Sequence, residues 1–102
     1  MRITITGRHG VVPDELRVRA RSLLDRITRV ASRPHHGQAI FDADHGRALV
    51  ELRLHTVRQQ VHVATAEGPD HRTALDRAAG RLRRQLDKAT RHRRRPSLRA
   101  LR

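Results

Sequence analysis

Apolar and polar residues near the start of the chain predict a strand followed by an amphipathic helix. The stretch Arg2-Ile3-Thr4-Ile5-Thr6 alternates with period two and is rich in β-branched residues, so it predicts a strand that ends at Gly7. After a turn at 7–10, Pro13 is expected at the first helical position, behind Val12 as N-cap, and two acidic residues follow where the helix dipole favours them. The apolar face of this helix comprises Leu16, Ala20, Leu23, Leu24, Ile27 and Val30.

The middle of the chain has the pattern of three extended segments. Residues 47–56 alternate, with Val50 and Leu52 on one face and Glu51 and Arg53 on the other. Gly, Pro and Asp residues mark the breaks between segments. The predicted features are a break at 32–37, strands over 38–43, 47–56 and 61–66, and turns at 44–46 and 57–60.

A longer amphipathic helix follows the last strand. Gly68-Pro69-Asp70 ends that strand and offers Asp70 as the helix N-cap. Gly80 inside the helix costs about 1 kcal/mol relative to Ala, which the rest of the periodic pattern absorbs. From about His92 the apolar face is lost, so residues 93–102 are predicted to be a basic, disordered tail. The apolar face comprises Leu75, Ala78, Ala79, Leu82, Leu86 and Ala89.

The order of elements is therefore β-α-β-β-β-α, which predicts an α+β fold. Two amphipathic helices can cover one face of a four-stranded, mainly antiparallel sheet and so form a two-layer sandwich. A chain of 102 residues is long enough for one small domain, which we assign to residues 1–92, ahead of the tail.

The last helix carries a basic stripe opposite its apolar face. The stripe consists of Arg77, Arg81, Arg84, Lys88 and Arg91, which are spaced by four, three, four and three residues. A solvated helix face usually mixes charges, whereas this one keeps a single sign over four turns and repels itself. We therefore interpret it as a surface for a polyanion, with a merely solvated face as the alternative.

Composition narrows the choice of polyanion. The formal net charge is +13, which makes nucleic acid the first choice of partner and an anionic membrane surface the second. Phe41 is the only aromatic residue, so the chain cannot stack several bases, and contact through phosphates and shape is expected. The chain has no cysteine, and no apolar run approaches the length of a membrane span.

The histidine and acidic residues are the candidates for catalytic or metal-binding groups. The neighbours His35 and His36 have poor ligand geometry, and His55 and His62 could face each other across a hairpin without a third ligand. The cluster Asp42, Asp44 and His45 is more typical of a polar turn than of a nuclease site. There is also no phosphate loop and no serine in a nucleophile elbow. The sequence therefore predicts a binding protein that is not an enzyme, without metal, cofactor or small-molecule substrate.

Three stretches resemble one known family. They are Ile3-Thr4-Ile5-Thr6-Gly7, the run from Phe41-Asp42 to Asp44-His45, and Val61-His62-Val63-Ala64-Thr65-Ala66-Glu67-Gly68-Pro69-Asp70 with Ala74-Leu75-Asp76 and Leu82-Arg83-Arg84-Gln85-Leu86-Asp87-Lys88. Together with the element order, they resemble the ribosome hibernation-promoting factors, also called ribosome-associated translation inhibitors. The similarity extends over about residues 1–92. The chain resembles the short form of the family or a stand-alone domain, and the dimerisation domain of the long form is not expected in it.

The resemblance implies a cytoplasmic, monomeric protein that binds ribosomal RNA in the decoding channel of the small ribosomal subunit. Such a protein would block translation during stress. The resemblance matches Arg26 and Arg29 to basic residues of the family's first helix, and Arg81, Arg84 and Lys88 to those of the second. Arg77 and Arg91 join the RNA-binding set by the geometry of the stripe alone. The tail matches no part of the family pattern.

Two other function classes remain open. One is a general nucleic-acid-binding protein, either a double-stranded RNA binder or a nucleoid protein. A double-stranded RNA module would have the order α-β-β-β-α, so the predicted first strand argues against it. The other is an enzyme that acts on RNA, which has no catalytic constellation in its support.

Overall fold

The computed structural model describes residues 1–29 and 33–94, and it describes only the backbone at Arg58 and at residues 90–94. The element order is the predicted β-α-β-β-β-α. Neither described helix combines the length and the apolarity that crossing a membrane requires. The elements are β1 (Arg2–Gly7), α1 (Asp14–Thr28), β2 (His36–Asp44), β3 (Arg47–His55), a short 3₁₀ turn (Val57–Gln59), β4 (Val61–Gly68) and α2 (His71–Arg94).

The four strands form one sheet in the order β1-β2-β3-β4. Strand β1 pairs with β2 in parallel, and the other two pairings are antiparallel, which confirms a mainly antiparallel sheet. A two-residue turn joins β2 to β3. Its residues His45 and Gly46 have φ of 50° and 76°, the left-handed conformation that a tight hairpin of this type needs.

The apolar side of the sheet packs against both helices. Val50, Leu52 and Leu54 of β3 are fully buried on this side, as their alternation predicted. Leu24 of α1 and Leu75 of α2 are fully buried against them. Burying side chains of this size stabilises the fold by about 1.5–3 kcal/mol each.

The two helices begin in different ways. Pro13 is itself the N-cap of α1, so the predicted placement of Pro13 inside the helix and of Val12 as N-cap is wrong by one residue. The reason is that Pro13 has a helical φ of −58° but an extended ψ of 148°, so the helix begins at Asp14. At α2 the prediction is confirmed, since Asp70 Oδ1 accepts a hydrogen bond of 2.7 Å from the Thr73 N–H. This bond is the largest cause of the lowered pKa of Asp70.

Two strands are longer than the local pattern predicted. Strand β2 begins at His36 because its first residues pair with β1, and β4 continues to Gly68 because its last residues pair with β3. Gly68 also lets α2 approach closely, since a Cβ there would lie 3.1 Å from the Ala74 nitrogen. Helix α2 continues to Arg94, two residues beyond the predicted end of the domain. Val30 and the predicted tail from residue 95 on lie outside the described residues.

Candidate nucleic-acid interface

Helix α2 separates an apolar face from a basic face. Leu75, Leu82 and Leu86 are buried, with at most 3% of their surface exposed. Four members of the predicted stripe, Arg77, Arg81, Arg84 and Lys88, are all exposed. The fifth, Arg91, lies in α2, but its side chain is outside the description. The described stripe is therefore open to solvent along its length.

Three side chains of α2 reach across to strand β4. Arg77 Nη1 donates to the Glu67 carbonyl at 3.0 Å, and Arg81 Nη1 donates to the Thr65 carbonyl at 2.6 Å. Gln85 Nε2 donates to the Val63 carbonyl at 2.8 Å. We call Arg77, Arg81 and Gln85 the carbonyl strap.

The strap works because the helix and the strand have matching repeats. Four residues of an α-helix advance about 6 Å, and two residues of a strand advance about 6.6–6.8 Å. Side chains at every fourth position of α2 can thus meet every second carbonyl of β4, which runs in the opposite direction. Since β4 is an edge strand, the strap covers backbone groups that would otherwise be free to pair with another chain.

The strap divides the basic stripe into two kinds of residue. Arg77 and Arg81 each use a guanidinium N–H on the protein itself. Within the part of the chain that the structure describes, Arg84 and Lys88 have neither a hydrogen bond nor an ion pair. Sequence reasoning missed Gln85 as a structural residue, although its position four residues after Arg81 was a usable signal.

Helix α1 carries the other predicted RNA-binding residues and lies beside α2 on the sheet. Arg26 is exposed near the end of α1, and Arg29 is the exposed C-cap residue. The two helices are joined by Arg19 of α1 and Asp76 of α2, which form a two-pronged ion pair with distances of 2.8 and 2.9 Å. The structure therefore places the described site residues of both helices on one side of the sheet.

Positive charge is concentrated in this helical layer. Helix α2 alone carries nine Arg or Lys residues against two Asp residues, which is +7 of the net +13. On the uncovered face of the sheet, both arginines of β3 have acidic partners: Arg53 pairs with Glu51 at 2.7 Å, and Arg47 lies 3.7 Å from Glu67. A polyanion would therefore be attracted to the helices rather than to the open sheet.

The histidine pair considered as a metal site is not formed. His55 pairs with Val61 and His62 pairs with Leu54, so the two histidines lie on opposite faces of the sheet. His55 stacks instead on His36, with ring centroids 5.5 Å apart. Among the described residues, no group of three His, Asp or Glu side chains could hold a metal.

The acidic cluster is a polar turn, as interpreted. Asp42 lies 3.3 Å from Arg8 and 2.8 Å from His9, and its pKa is lowered mainly because it accepts the Ala43 N–H. Asp44 lies 2.6 Å from the ring of His45 in the hairpin turn. Both carboxylates are engaged with neighbouring side chains. Asp42 also lines a cavity of about 150 Å³ with His9 and His71, and Asp44 does not.

A family model described as sigma 54 modulation protein / S30EA ribosomal protein matches residues 3–94, from β1 to the end of α2. The chain belongs to this family. The family consists of ribosome-associated hibernation factors, and the resemblance stated from the sequence is thereby confirmed. The protein is therefore a ribosome-associated factor. No curated protein sequence matches the chain.

Solved structures share the fold. A ribosomal subunit interface protein from Coxiella burnetii is 21% identical with a TM-score of 0.77, and the alignment covers 88% of this chain and 98% of that one. The Protein Y N-terminal domain from Thermus thermophilus is 22% identical with a TM-score of 0.75, and the alignment covers 86% and 98%. At these identities the two structures support the β-α-β-β-β-α fold alone.

Proposed function

We propose that this S30EA-family protein binds ribosomal RNA in the decoding channel of the small ribosomal subunit and thereby silences translation. The observation that carries the proposal is the single-sign, exposed face of α2 on a domain of a ribosome-associated family. Its contacts are Arg77, Arg81, Arg84, Lys88 and Arg91 of α2, together with Arg26 and Arg29 of α1.

The exposed side chains favour RNA as the partner, because they are cationic and the aromatic ring of Phe41 is buried. The single aromatic residue, Phe41, is 4% exposed, and its ring meets His71 edge-on at 5.7 Å, so it is not available to stack on a base. Binding must then depend on cationic side chains at phosphates and on the shape of the surface. A folded ribosomal RNA channel offers both, with phosphates held at fixed positions.

Within this surface, Arg84 and Lys88 are the principal contacts because nothing in the described protein competes for them. Arg77 and Arg81 contribute their charge and their remaining N–H donors while one N–H holds β4. The covered β4 edge supports a monomer. Since ribosomes are the partner, the site of action is the cytoplasm, and stress is the condition in which silencing translation is useful.

Two measurements test this function. Purified protein added in stoichiometric excess to a cell-free translation reaction should reduce synthesis, and unchanged synthesis would contradict the proposal. Binding to isolated small subunits should weaken with salt. About five phosphate contacts give a slope of log affinity against log salt of very roughly −3.5 to −4.5. Equal affinity for bulk RNA, DNA and subunits would instead indicate the general nucleic-acid-binding alternative.

A further inference from the structure

The two edges of the sheet differ in how their backbone groups are used. Strand β4 forms one edge, and the carbonyl strap occupies its outward carbonyl groups. Strand β1 forms the other edge, and among the described residues no strand or side chain bonds to its free side. An edge strand without covering groups is a template for pairing with another chain. Strand β1 is therefore a candidate docking edge.

Ile3 and Ile5 direct their backbone groups towards this open edge. In a parallel pair of strands, every second residue bonds to the neighbouring strand. In β1 these are the even-numbered residues, since the Arg2 N–H donates to the His35 carbonyl at 3.3 Å. The N–H and C=O groups of Ile3 and Ile5 thus point away from β2. Among the described residues, nothing outside the sheet pairs with them.

The sequence of β1 is complementary to a second copy of itself. Two copies of β1 can pair in antiparallel, with Ile3 of each copy opposite Ile5 of the other and a two-fold axis at Thr4. Opposite residues of this kind exchange two hydrogen bonds, so the register uses every outward group of Ile3 and Ile5. Arg2 of one copy then lies opposite Thr6 of the other, and no like charges face each other across the strands.

The charge beside β1 suits a second copy better than an acidic peptide. The strap holds α2 along β4, and Arg19 of α1 faces α2 through Asp76. The side of α1 opposite Arg19 is therefore turned towards the β1 edge. It carries two basic and two acidic residues, whereas α2 alone has a charge of +7. An acidic partner would be attracted to α2 instead. The four residues beside β1 are Asp14, Arg17, Arg21 and Asp25.

The charges on this side of α1 are also complementary to a second copy. A Cβ at Gly37, the partner of Ile3 in the sheet, would lie 3.5 Å from Leu24 Cδ1, so Leu24 is level with Ile3. Arg21 lies about 4.5 Å nearer the helix start, which is close to the level of Thr4. Around a two-fold axis at Thr4, residues four before and four after Arg21 face each other. Two Arg17–Asp25 pairs then oppose one contact between the two Arg21 side chains.

We propose that the free protein pairs reversibly with a second copy of itself through β1, in antiparallel around Thr4. The two sheets become one eight-stranded sheet with all four helices on the same side. Because the strap closes β4, association stops at two copies. Two chains of net charge +13 repel each other, so the pair forms in concentrated protein at high salt. The proposal concerns the free chain and does not depend on RNA binding, for which the single copy remains the proposed form.

The register can be tested with single cysteines, because the chain has none. In the proposed pair the two Thr4 Cα atoms are about 4.5 Å apart, within the range of about 4.4–6.8 Å that a disulfide spans. The two Thr6 Cα atoms are about 13 Å apart along the strands. On mild oxidation of the full chain at high salt, Thr4→Cys should form a disulfide-linked dimer. The matched control Thr6→Cys, also exposed on β1, should stay monomeric. Equal cross-linking of the two variants, or cross-linking of Thr6→Cys alone, would overturn the proposal.

A second pair of variants tests the backbone bonds. Proline is tolerated in an edge strand where its nitrogen faces outwards, so Ile5→Pro keeps the bonds of β1 to β2 and removes one N–H that the second copy needs. Ile5→Ala is the matched control, since it loses a similar side chain and keeps the N–H. Sedimentation velocity at high salt should show dimers that increase with concentration for the wild type and Ile5→Ala, and monomers for Ile5→Pro. A wild-type protein that stays monomeric at every concentration, or Ile5→Pro that pairs as Ile5→Ala does, would refute pairing through β1.

Discussion

The carbonyl strap predicts that two arginines three residues apart on α2 differ in what they do for stability. Arg81 donates to the Thr65 carbonyl at 2.6 Å, whereas Arg84 has no partner among the described residues. Both are exposed, and each has two basic neighbours one turn away: Arg77 and Arg84 for Arg81, and Arg81 and Lys88 for Arg84. The substitutions Arg81→Ala and Arg84→Ala remove the same charge. They differ in the hydrogen bond, which only Arg81 makes, and in Asp87, which lies one turn from Arg84 but not from Arg81.

The size of the difference follows from that bond. A typical intramolecular hydrogen bond contributes about 0.5–1.5 kcal/mol, and the low half applies here because water can replace the lost donor at an exposed carbonyl. For a domain of this size, 1 kcal/mol shifts the melting temperature by about 4–8 °C. Arg81→Ala should therefore melt a few degrees below Arg84→Ala. Arg84→Ala should melt near the wild type, since it relieves repulsion from Arg81 and Lys88 but also removes the attraction to Asp87.

The assay is thermal unfolding followed by circular dichroism, at low salt and at high salt. High salt screens the repulsion between exposed charges, so the gap between the two variants should remain while both shift relative to the wild type. Gln85→Ala is a neutral control that removes a strap bond and no charge. At high salt it should lower the melting temperature about as much as Arg81→Ala. At low salt it should lower it more, because Arg81→Ala also relieves repulsion along the stripe. Equal melting temperatures for Arg81→Ala and Arg84→Ala would refute the stabilising role of the strap.

Three further variants test packing, backbone and capping. Leu86→Ala should lower stability by about 2–5 kcal/mol through a cavity, while the protein that stays folded binds subunits as before; a melting temperature close to the wild type would place Leu86 outside the core. Gly80→Ala should stabilise by about 1 kcal/mol, because a Cβ there meets only the Arg84 side chain, at 3.8 Å; a lower melting temperature would contradict this. Since folding lowers the pKa of Asp70, its charged form stabilises the protein above the ordinary carboxyl value of 3.8, and this contribution is lost as the pH falls below it. In Asp70→Asn the free energy of unfolding should therefore fall less steeply as the pH decreases below about 4. An unchanged pH dependence would count against the cap.

Local sequence patterns predicted the order of elements because each helix and strand turns one face towards the core and the other towards solvent. Strand β3 is the clearest case, since Val50, Leu52 and Leu54 all lie on the helix side of the sheet. The same reasoning placed the basic stripe on the exposed face of α2. It placed the start of α1 one residue early, because the ring of Pro13 fixes its φ but not its ψ, which is extended at 148°.

Other features of the site depend on pairings between distant segments. The strap requires β4 to be an edge strand and α2 to run back along it, so the spacing of Arg77, Arg81 and Gln85 alone does not reveal it. Such residues emerge only when the arrangement of elements is known.

The most direct test of the account is binding of a charge-reversed α2 to isolated small ribosomal subunits, measured by co-sedimentation. The variant carries Arg84→Glu and Lys88→Glu, which alter no hydrogen bond that the structure describes. A matched control carries Arg2→Glu and Arg21→Glu, the same change of net charge at exposed positions outside α2. We expect all three proteins to fold and the control to pellet with the subunits nearly as the wild type does. The α2 variant should remain in the supernatant, because two attractions to phosphate become repulsions. If it pellets with wild-type affinity, α2 is not the ribosome-binding surface and the central claim is wrong.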